Sequence, residues 1–492
     1  MPEAVPHKPH PFERLGTPVS LLLMALSGLA FVSTAATTSA ARLAVMQPIE
    51  TYALAVHHQL VRNHALTGRW SQTIHFGYED AWTWSGHHAL TLLAASGLYP
   101  LLQGVLGLTV FQIVAVALGA IPAAIIGRRA ARSRWGLGLG AGLYLLHPAV
   151  MAQSLQDYQD LVFALPALLT LVAALGARSP LWLPPALLIG LAPREECIPL
   201  VVVCALITWP PGGIRRWLAQ LGLTAAVAGI YAGVLGRYFP ATTGIQGPDG
   251  SSRLGEAVAL LLDRGPTGLD GWPHLLDFYS LAWSPVGGLA LLSPLSLLPA
   301  VPLTLLHMAI PDGNGIDRSW AGHAHHLTPT LFFVVLATIE GAGRLARGIA
   351  TFSLKGRKLG PPPALAFGSL LLLVNLRWTA TWALSYGLLP ALWPEAPPYE
   401  HPAWTLARRL PAEAVPVVST RYCIAVSGLE RSYTWEESLY DKAGRRGLGA
   451  ASHLIAPRSA VDVVEWAMAM PGARVVDEHD GYLTVAWEAG AW

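Results

Sequence analysis

The chain has 492 residues, of which 53% are hydrophobic and only 13% charged, with a formal net charge of +2; soluble domains carry about 25% charged residues. No Asp, Glu, Lys or Arg occurs in 15–41, 81–127, 136–156, 161–177, 197–214, 217–236, 278–311, 319–339 or 359–376. Such deserts exclude an ordinary soluble protein, and their lack of strict alternation excludes a transmembrane β-barrel; the fold class expected is an α-helical polytopic membrane protein.

The N-terminus is placed on the cytoplasmic side, because Lys8 and Arg14 precede the first apolar span at 15–36. That span reads as a retained signal-anchor rather than a cleaved signal peptide. An outer loop, 37–84, follows. Residues 87–103 are apolar but carry Gly97 and Pro100. The next span, 108–127, ends at Arg128, Arg129, Arg132 and Arg134 and must therefore begin outside, so 87–103 reads as an interfacial or re-entrant helix. Further spans are expected at 136–155, 161–177, 180–193, 196–210, 217–237, 278–293, 295–310, 325–345 and 362–385, about 11 in all.

Charge asymmetry supports this path. Arg215 and Arg216 form a second basic cluster, and Arg344, Arg347, Lys355, Arg357 and Lys358 a third. Outside the C-terminal tail the acids fall mainly in the other loops: Glu50, Glu79, Asp80, Asp157, Asp160, Glu195, Glu196 and the 249–277 stretch. Short Arg clusters beside apolar runs are topology signals, and no nucleic-acid partner is expected. The acidic loops then face outward. Cys197, Cys204 and Cys423 give neither a disulfide framework nor a zinc spacing.

From about residue 390 the composition changes to dense charge after a Pro-rich linker, PEAPPYEHP. AWTLARRL and SAVDVVEWAMAM read as helices, and VPVVST, ARVVDE and YLTVAW as strands. Two domains follow from this: 1–389 within the membrane, and 390–492 as a small extracytoplasmic α/β domain open to protein partners.

Polar chemistry concentrates at the outer ends of spans. HFGYEDAWTWSGHH, 75–88, holds His75, Glu79, Asp80, His87 and His88, with Trp82 and Trp84 suited to an interfacial anchor. Carboxylate and imidazole suit acid–base work or divalent-metal ligation, for which His87 and His88 are the candidates, although the spacing matches no zinc motif. Asp157 and Asp160 form a second patch, and Arg194 with Glu195 and Glu196 a third, where the guanidinium either clamps phosphate or pairs with its neighbours. The fourth is GHAHHLTP, with His323, His325 and His326. Arg377 lies inside the last expected span, either paired or snorkelling.

The layout resembles the GT-C superfamily of polyprenyl-phosphate-sugar-dependent glycosyltransferases. LAPREECIPL (191–200), GGLALLSPLSLLPAVPLTLLH (287–307) and HAHHLTPTLFFVVLATIEGAGRLAR (323–347) are more closely similar to a bacterial family of predicted membrane proteins, domain of unknown function 2079. The family commonly has a Tyr-Asp pair after its first span and then Asp-Gln; here the stretches read Tyr52-Ala53 and His58-Gln59. A family His-Pro pair stands here as Gln159-Asp160. With an acid missing at Ala53, the resemblance implies a catalytic carboxylate from Glu50, Glu79 or Asp80. It also implies substrate contacts from Arg194, Glu195, His325, His326, Asp157 and Asp160.

The expected function is a glycosyltransferase of the inner membrane. It would move a sugar from a lipid-phosphate donor on the extracytoplasmic side, with a divalent metal ion as an optional cofactor. A non-catalytic scaffold subunit and a transporter are the alternatives. The transporter reading lacks paired Gly/Pro-broken helices in two related halves.

Overall fold

The structure is a computed structural model. It describes residues 11–44, 51–71, 73–74, 90–155, 158–238, 288–309, 327–351, 353–354, 357–358, 366–374, 376–377, 400–435 and 450–488. The chain divides into two compact units. One comprises Met1–Ala35, Ile113–Ser154 and Leu161–Leu388; the other comprises Ala36–Gln112, Leu155–Asp160 and Leu389–Trp492.

Helices dominate the first three quarters of the chain: α1 (Pro11–Ala44), α2 (Thr51–Thr67), α3 (Thr91–Leu98), α4 (Gly104–Leu118), α5 (Ala120–Ala131) and α6 (Gly136–Leu145). They continue with α7 (Pro148–Ser154), α8 (Ala164–Leu175), α9 (Leu183–Leu191), α10 (Cys197–Ile207) and α11 (Gly213–Tyr238). After α12 (Pro294–Leu297), α13 (Ala300–Ala309) and α14 (Thr328–Thr351), a short hairpin pairs β1 (Ser353–Leu354) with β2 (Arg357–Lys358).

Four helical segments among the described residues are long and apolar enough to cross a bilayer: Gly16–Ala44, Gly104–Ala131, Gly213–Leu235 and Thr328–Thr351. Shorter apolar helices cover Gly136–Leu145, Asp160–Leu175, Pro180–Leu191, Cys197–Ile207 and Pro294–Thr304. The sequence led to one continuous span at 136–155, whereas the structure breaks it at Leu146 and His147. Pro148 is the cause: its ring disfavours helical backbone at the preceding residue, and it offers no N–H to continue the ladder. Residues 37–84, read as an outer loop, hold the end of α1 and all of α2. Within 87–103 the helix α3 has eight residues, too few to cross.

Inside the helical unit, close approach depends on small residues, as is common where lipid supplies no hydrophobic drive between helices. A Cβ on Gly140 would fall 2.2 Å from the Ala123 carbonyl oxygen, and one on Gly127 would fall 2.5 Å from that of Gly136. Both glycines therefore let α5 and α6 pack backbone to backbone. The α14 helix is the most enclosed of the long ones, with Phe332 and Phe333 wholly buried. Its one acid is satisfied: Ser293 Oγ and Ser296 Oγ donate to Glu340 Oε2 at 2.6 and 2.7 Å.

The second unit contains a mixed sheet of β3 (Pro416–Val418), β4 (Tyr433–Thr434), β5 (His453–Pro457), β6 (Arg474–His479) and β7 (Tyr482–Ala486), in the order β4-β3-β5-β7-β6. β3 runs parallel to β4 and β5, while β7 is antiparallel to β5 and β6. The hairpin between β6 and β7 turns at Asp480 and Gly481, both at positive φ (50° and 78°), the Asp-Gly signature of a two-residue type I′ turn. α15 (Pro402–Arg408) and α16 (Val461–Met468) complete the domain, with Val417, Tyr433, Leu454, Val485 and Trp487 in its core. The three strands and two helices read from the tail sequence are all present. β4 and β5 are additions: β4 is two residues long, and His453 and the terminal Pro457 mask the apolar run of β5.

This sheet domain is joined to the end of α1 within the same unit. The His401 N–H donates to the Ala44 carbonyl at 3.0 Å, and Trp404 Nε1 donates to that of Leu43 at 3.0 Å. These bonds occupy carbonyls that a helix end leaves without partners.

Candidate functional site

The α2 sequence TYALAVHHQLVRNHALT places four polar side chains where the helix meets the rest of its unit. His57 is 1% exposed, His58 2%, and Gln59 and Asn63 0%. Gln59 and Asn63 are one turn apart on one face. Gln59 Oε1 accepts from the Thr73 N–H at 2.8 Å, and its Nε2 donates to the Leu429 carbonyl at 3.1 Å and to Ser432 Oγ at 3.2 Å. Asn63 Nδ2 donates to the carbonyls of Ser71 (3.0 Å) and Glu430 (3.2 Å). Thr73 Oγ1 in turn donates to the Ser432 carbonyl at 2.7 Å. Two amides thus stitch residues 71–74 to residues 429–432.

The two histidines differ in their chemistry. Ser427 Oγ donates its hydrogen to the Ile424 carbonyl at 2.9 Å, so at 2.9 Å it accepts from His58 Nδ1–H. His58 Nε2 then presents its lone pair toward Tyr99 Oη at 3.4 Å. Burial, reinforced by the nearby Arg62 charge, holds the His58 pKa down at about 4, so the ring is neutral at pH 7.

His57 is bound differently. Its Nδ1 lies 2.7 Å from the Ala53 carbonyl oxygen, which can only accept, so Nδ1 carries a hydrogen. Its Nε2 lies 3.1 Å from Asp160 Oδ2. A neutral ring with its hydrogen on Nδ1 would set a lone pair against a carboxylate oxygen, which is repulsive. One further proton must therefore lie between Nε2 and Oδ2, carried either by an imidazolium or by a neutral carboxylic acid. Asp160 is 4% exposed, and its other oxygen accepts from Thr91 Oγ1 at 2.9 Å. Tyr158 packs beside the pair, with ring centroids 5.1 Å apart from His57, and burial followed by the Asp160 charge pushes its phenol well above the ordinary value. The phenol stays protonated. Chemically, the arrangement is a buried acid–imidazole pair sharing one proton, fixed at both outer ends by Ala53 and Thr91.

Each position is set locally. His57 is one helical turn after Ala53, of which only the backbone carbonyl takes part. Thr91 is the first residue of α3. Asp160 opens a 3₁₀ turn, Asp160–Phe163, that leads into α8, and the preceding Gln159 N–H is held by Gln112 Oε1 at 2.7 Å.

Of the site residues read from the sequence, Asp160 is in this cluster. Arg194 and Glu195 belong to the other unit. There Arg194 is 4% exposed and forms an ion pair with Glu196 at 2.9 Å, the pairing with its neighbours that the sequence left open. Glu50, Glu79, Asp80, His87, His88, Asp157, His325 and His326 lie outside the described residues. His57 and Thr91 were not singled out from the sequence. The His57-His58 doublet was the available signal, whereas a threonine within an apolar run carries none. Among the described residues no group of three or more His, Cys, Asp and Glu could hold a metal ion. Asp160 and His57 supply only two donors, and each is already bonded to the other.

Several comparisons bear on this geometry. The fold is similar to that of ArnT from Cupriavidus metallidurans bound to undecaprenyl phosphate, with a TM-score of 0.51 and 12% identity over 96% of this chain and 98% of that one. The apo state of the same protein gives 0.49 and 12% over 98% of each chain. The Archaeoglobus fulgidus oligosaccharyltransferase, solved with Zn and sulfate, gives 0.41 and 10% over 91% of this chain and 69% of that one. At 12% identity the ArnT likeness is one of fold alone. No curated protein matches the chain. The family described as "Predicted membrane protein (DUF2079)" matches residues 42–351, more than half of the length. The chain therefore belongs to that family of membrane proteins, domain of unknown function 2079.

Proposed function

We propose that this protein transfers a sugar from a polyprenyl-phosphate donor to an acceptor hydroxyl, with Asp160 as its acid–base group. The observation that carries this reading is the 3.1 Å contact between His57 Nε2 and Asp160 Oδ2, which requires a shared proton. The GT-C-like fold supports it, since the ArnT of similar fold is a protein solved with undecaprenyl phosphate bound.

In the proposed step the Asp160 carboxylate accepts the proton of the acceptor hydroxyl. The acceptor oxygen bonds to the anomeric carbon as the bond from that carbon to the phosphate oxygen breaks. The electron pair leaves with the polyprenyl phosphate. His57, bonded to Asp160 Oδ2, fixes the carboxylate through its first oxygen. Thr91 orients the carboxylate through its second oxygen. Glu50, Glu79 and Asp80 are the proposed alternative carboxylates.

The test uses purified protein in lipid nanodiscs with a panel of polyprenyl-phosphate sugars, following donor consumption and release of the polyprenyl phosphate. Asp160→Asn is expected to lower turnover by about 100-fold or more, the usual contribution of a positioned acid–base group. Undiminished turnover in Asp160→Asn overturns the assignment. Near-complete burial of the pair favours a second reading, a scaffold subunit stabilised by it. In that case the wild type leaves every donor intact and Asp160→Asn changes only the unfolding midpoint.

A further inference from the structure

A second site lies within the helical unit, and it does not rest on the transfer reading. A cavity of about 530 Å³ opens where the start of α1, the end of α5, the start of α6 and the end of α14 meet residues 368–372. Leu23, Leu139 and Leu372 give it an apolar wall, while Arg132 and Arg347 place two guanidinium groups on its lining. Ser20, Ser133 and Thr351 add hydroxyls.

Three observations point to a ligand. Ser20 is 1% exposed, lines the cavity, and its Oγ finds no hydrogen-bond partner among the described residues. Buried hydroxyls are almost always bonded, so this one is open to a partner in the cavity. Neither Arg132 nor Arg347 is paired with a carboxylate among the described residues, although acids and arginines pair elsewhere in the unit, as at Arg194–Glu196 and Arg344–Glu340. Finally, Arg132 sits in left-handed backbone at φ 51°, beyond the last turn of α5. A non-glycine side chain there is strained by the order of 1 kcal/mol, and such strain persists where the position has a use.

An apolar wall beside two unpaired cations and a free hydroxyl at the ends of bilayer-crossing helices matches one ligand chemistry. We propose that this cavity binds a membrane phosphate ester, its anionic phosphate held by Arg132, Arg347 and Ser20 and its hydrocarbon chain lying along Leu23, Leu139 and Leu372. Basic pockets between transmembrane helices take anionic headgroups in this way. Trp135, also on the lining, is the residue type that settles at the headgroup level. The phosphate could belong to a glycerophospholipid or to a polyprenyl phosphate, and the chemistry recognised is the same.

Native mass spectrometry and calorimetry on the full purified chain test this with four probes: phosphatidylglycerol, undecaprenyl phosphate, phosphatidylcholine and inorganic phosphate. One or both anionic lipids should bind at least tenfold more tightly than phosphatidylcholine and inorganic phosphate, and the tighter of the two names the source. Arg132→Asn combined with Arg347→Gln should weaken that binding at least tenfold, with the thermal unfolding midpoint of the lipid-free protein unchanged; asparagine tolerates left-handed backbone. If the double variant does not fold, Arg347→Gln alone, at a half-buried helix end, should weaken binding severalfold. Equal binding of phosphatidylcholine, equal binding of inorganic phosphate, or unchanged affinity in a folded variant overturns the proposal.

Discussion

The two units bury their interiors by opposite means. In the helical unit, α5 and α6 meet through Gly127 and Gly140 with almost no side-chain bulk between them, and the one acid of α14, Glu340, is bonded by two nearby serines. In the other unit, α2 turns His57, His58, Gln59 and Asn63 into the interior, each bonded to backbone or side chains distant in sequence. One unit is specified by the absence of atoms and the other by the placement of polar ones. The buried acid–imidazole contact of His57 with Asp160 belongs to the second.

Changes that reverse each strategy should hurt most. Gly140→Leu would drive a side chain into the Ala123 carbonyl, where even a Cβ would be 2.2 Å away. With rigid backbone on both sides the expected cost exceeds the ~1–3 kcal/mol of ordinary overpacking, and folded protein should be lost from size-exclusion profiles in detergent. Leu139→Met, which conserves volume on the next residue, should leave the profile intact.

The next effect is a pH dependence confined to the polar unit. His58 has a folded pKa of about 4, against about 6.5 when unfolded. The unfolded chain therefore binds the extra proton first as pH falls. The stabilisation from keeping this ring neutral is complete above pH 6.5 and is lost progressively as pH falls from 6.5 toward 4, by up to about 3 kcal/mol. Thermal unfolding at pH 7.5 and pH 4.5 should show a drop in midpoint that His58→Gln reduces. An equal drop in both would place the acid sensitivity elsewhere.

Gln59→Ala is expected to be milder, about 1–3 kcal/mol, because it strands the Thr73 N–H and the Leu429 carbonyl. Faster hydrogen exchange at residues 73–74 and 429–432 would report that loosening, and unchanged protection there would mean that Asn63 and Thr73 suffice.

The same contrast explains what was legible in the sequence. Charge deserts and Arg clusters announce a membrane bundle because bilayer length and charge cost act residue by residue. The C-terminal strands at 416–418 and 482–486 were visible through local alternation for a similar reason. The Asp160–His57–Thr91 cluster was only partly legible, because its members are separated by 103 and 69 positions and are joined by tertiary packing alone. Asp160 stood out as an acid at the end of a desert. His57 looked like one histidine among many, and Thr91 like part of an apolar run. Pro148 breaks its span at Leu146 and His147, yet a proline alone does not announce a break, since prolines are also tolerated within membrane helices.

The central claim is that Asp160 and His57 act as one unit around a single proton. A double-mutant cycle with Asp160→Asn and His57→Gln, read in both unfolding stability and donor consumption, tests it most directly. The expected result is strong non-additivity: a coupling of about 2–3 kcal/mol in stability, within the range for contacting residues, and a double variant no slower in turnover than Asp160→Asn alone. Additive effects in both readouts would contradict the shared proton and leave two independent buried polar residues.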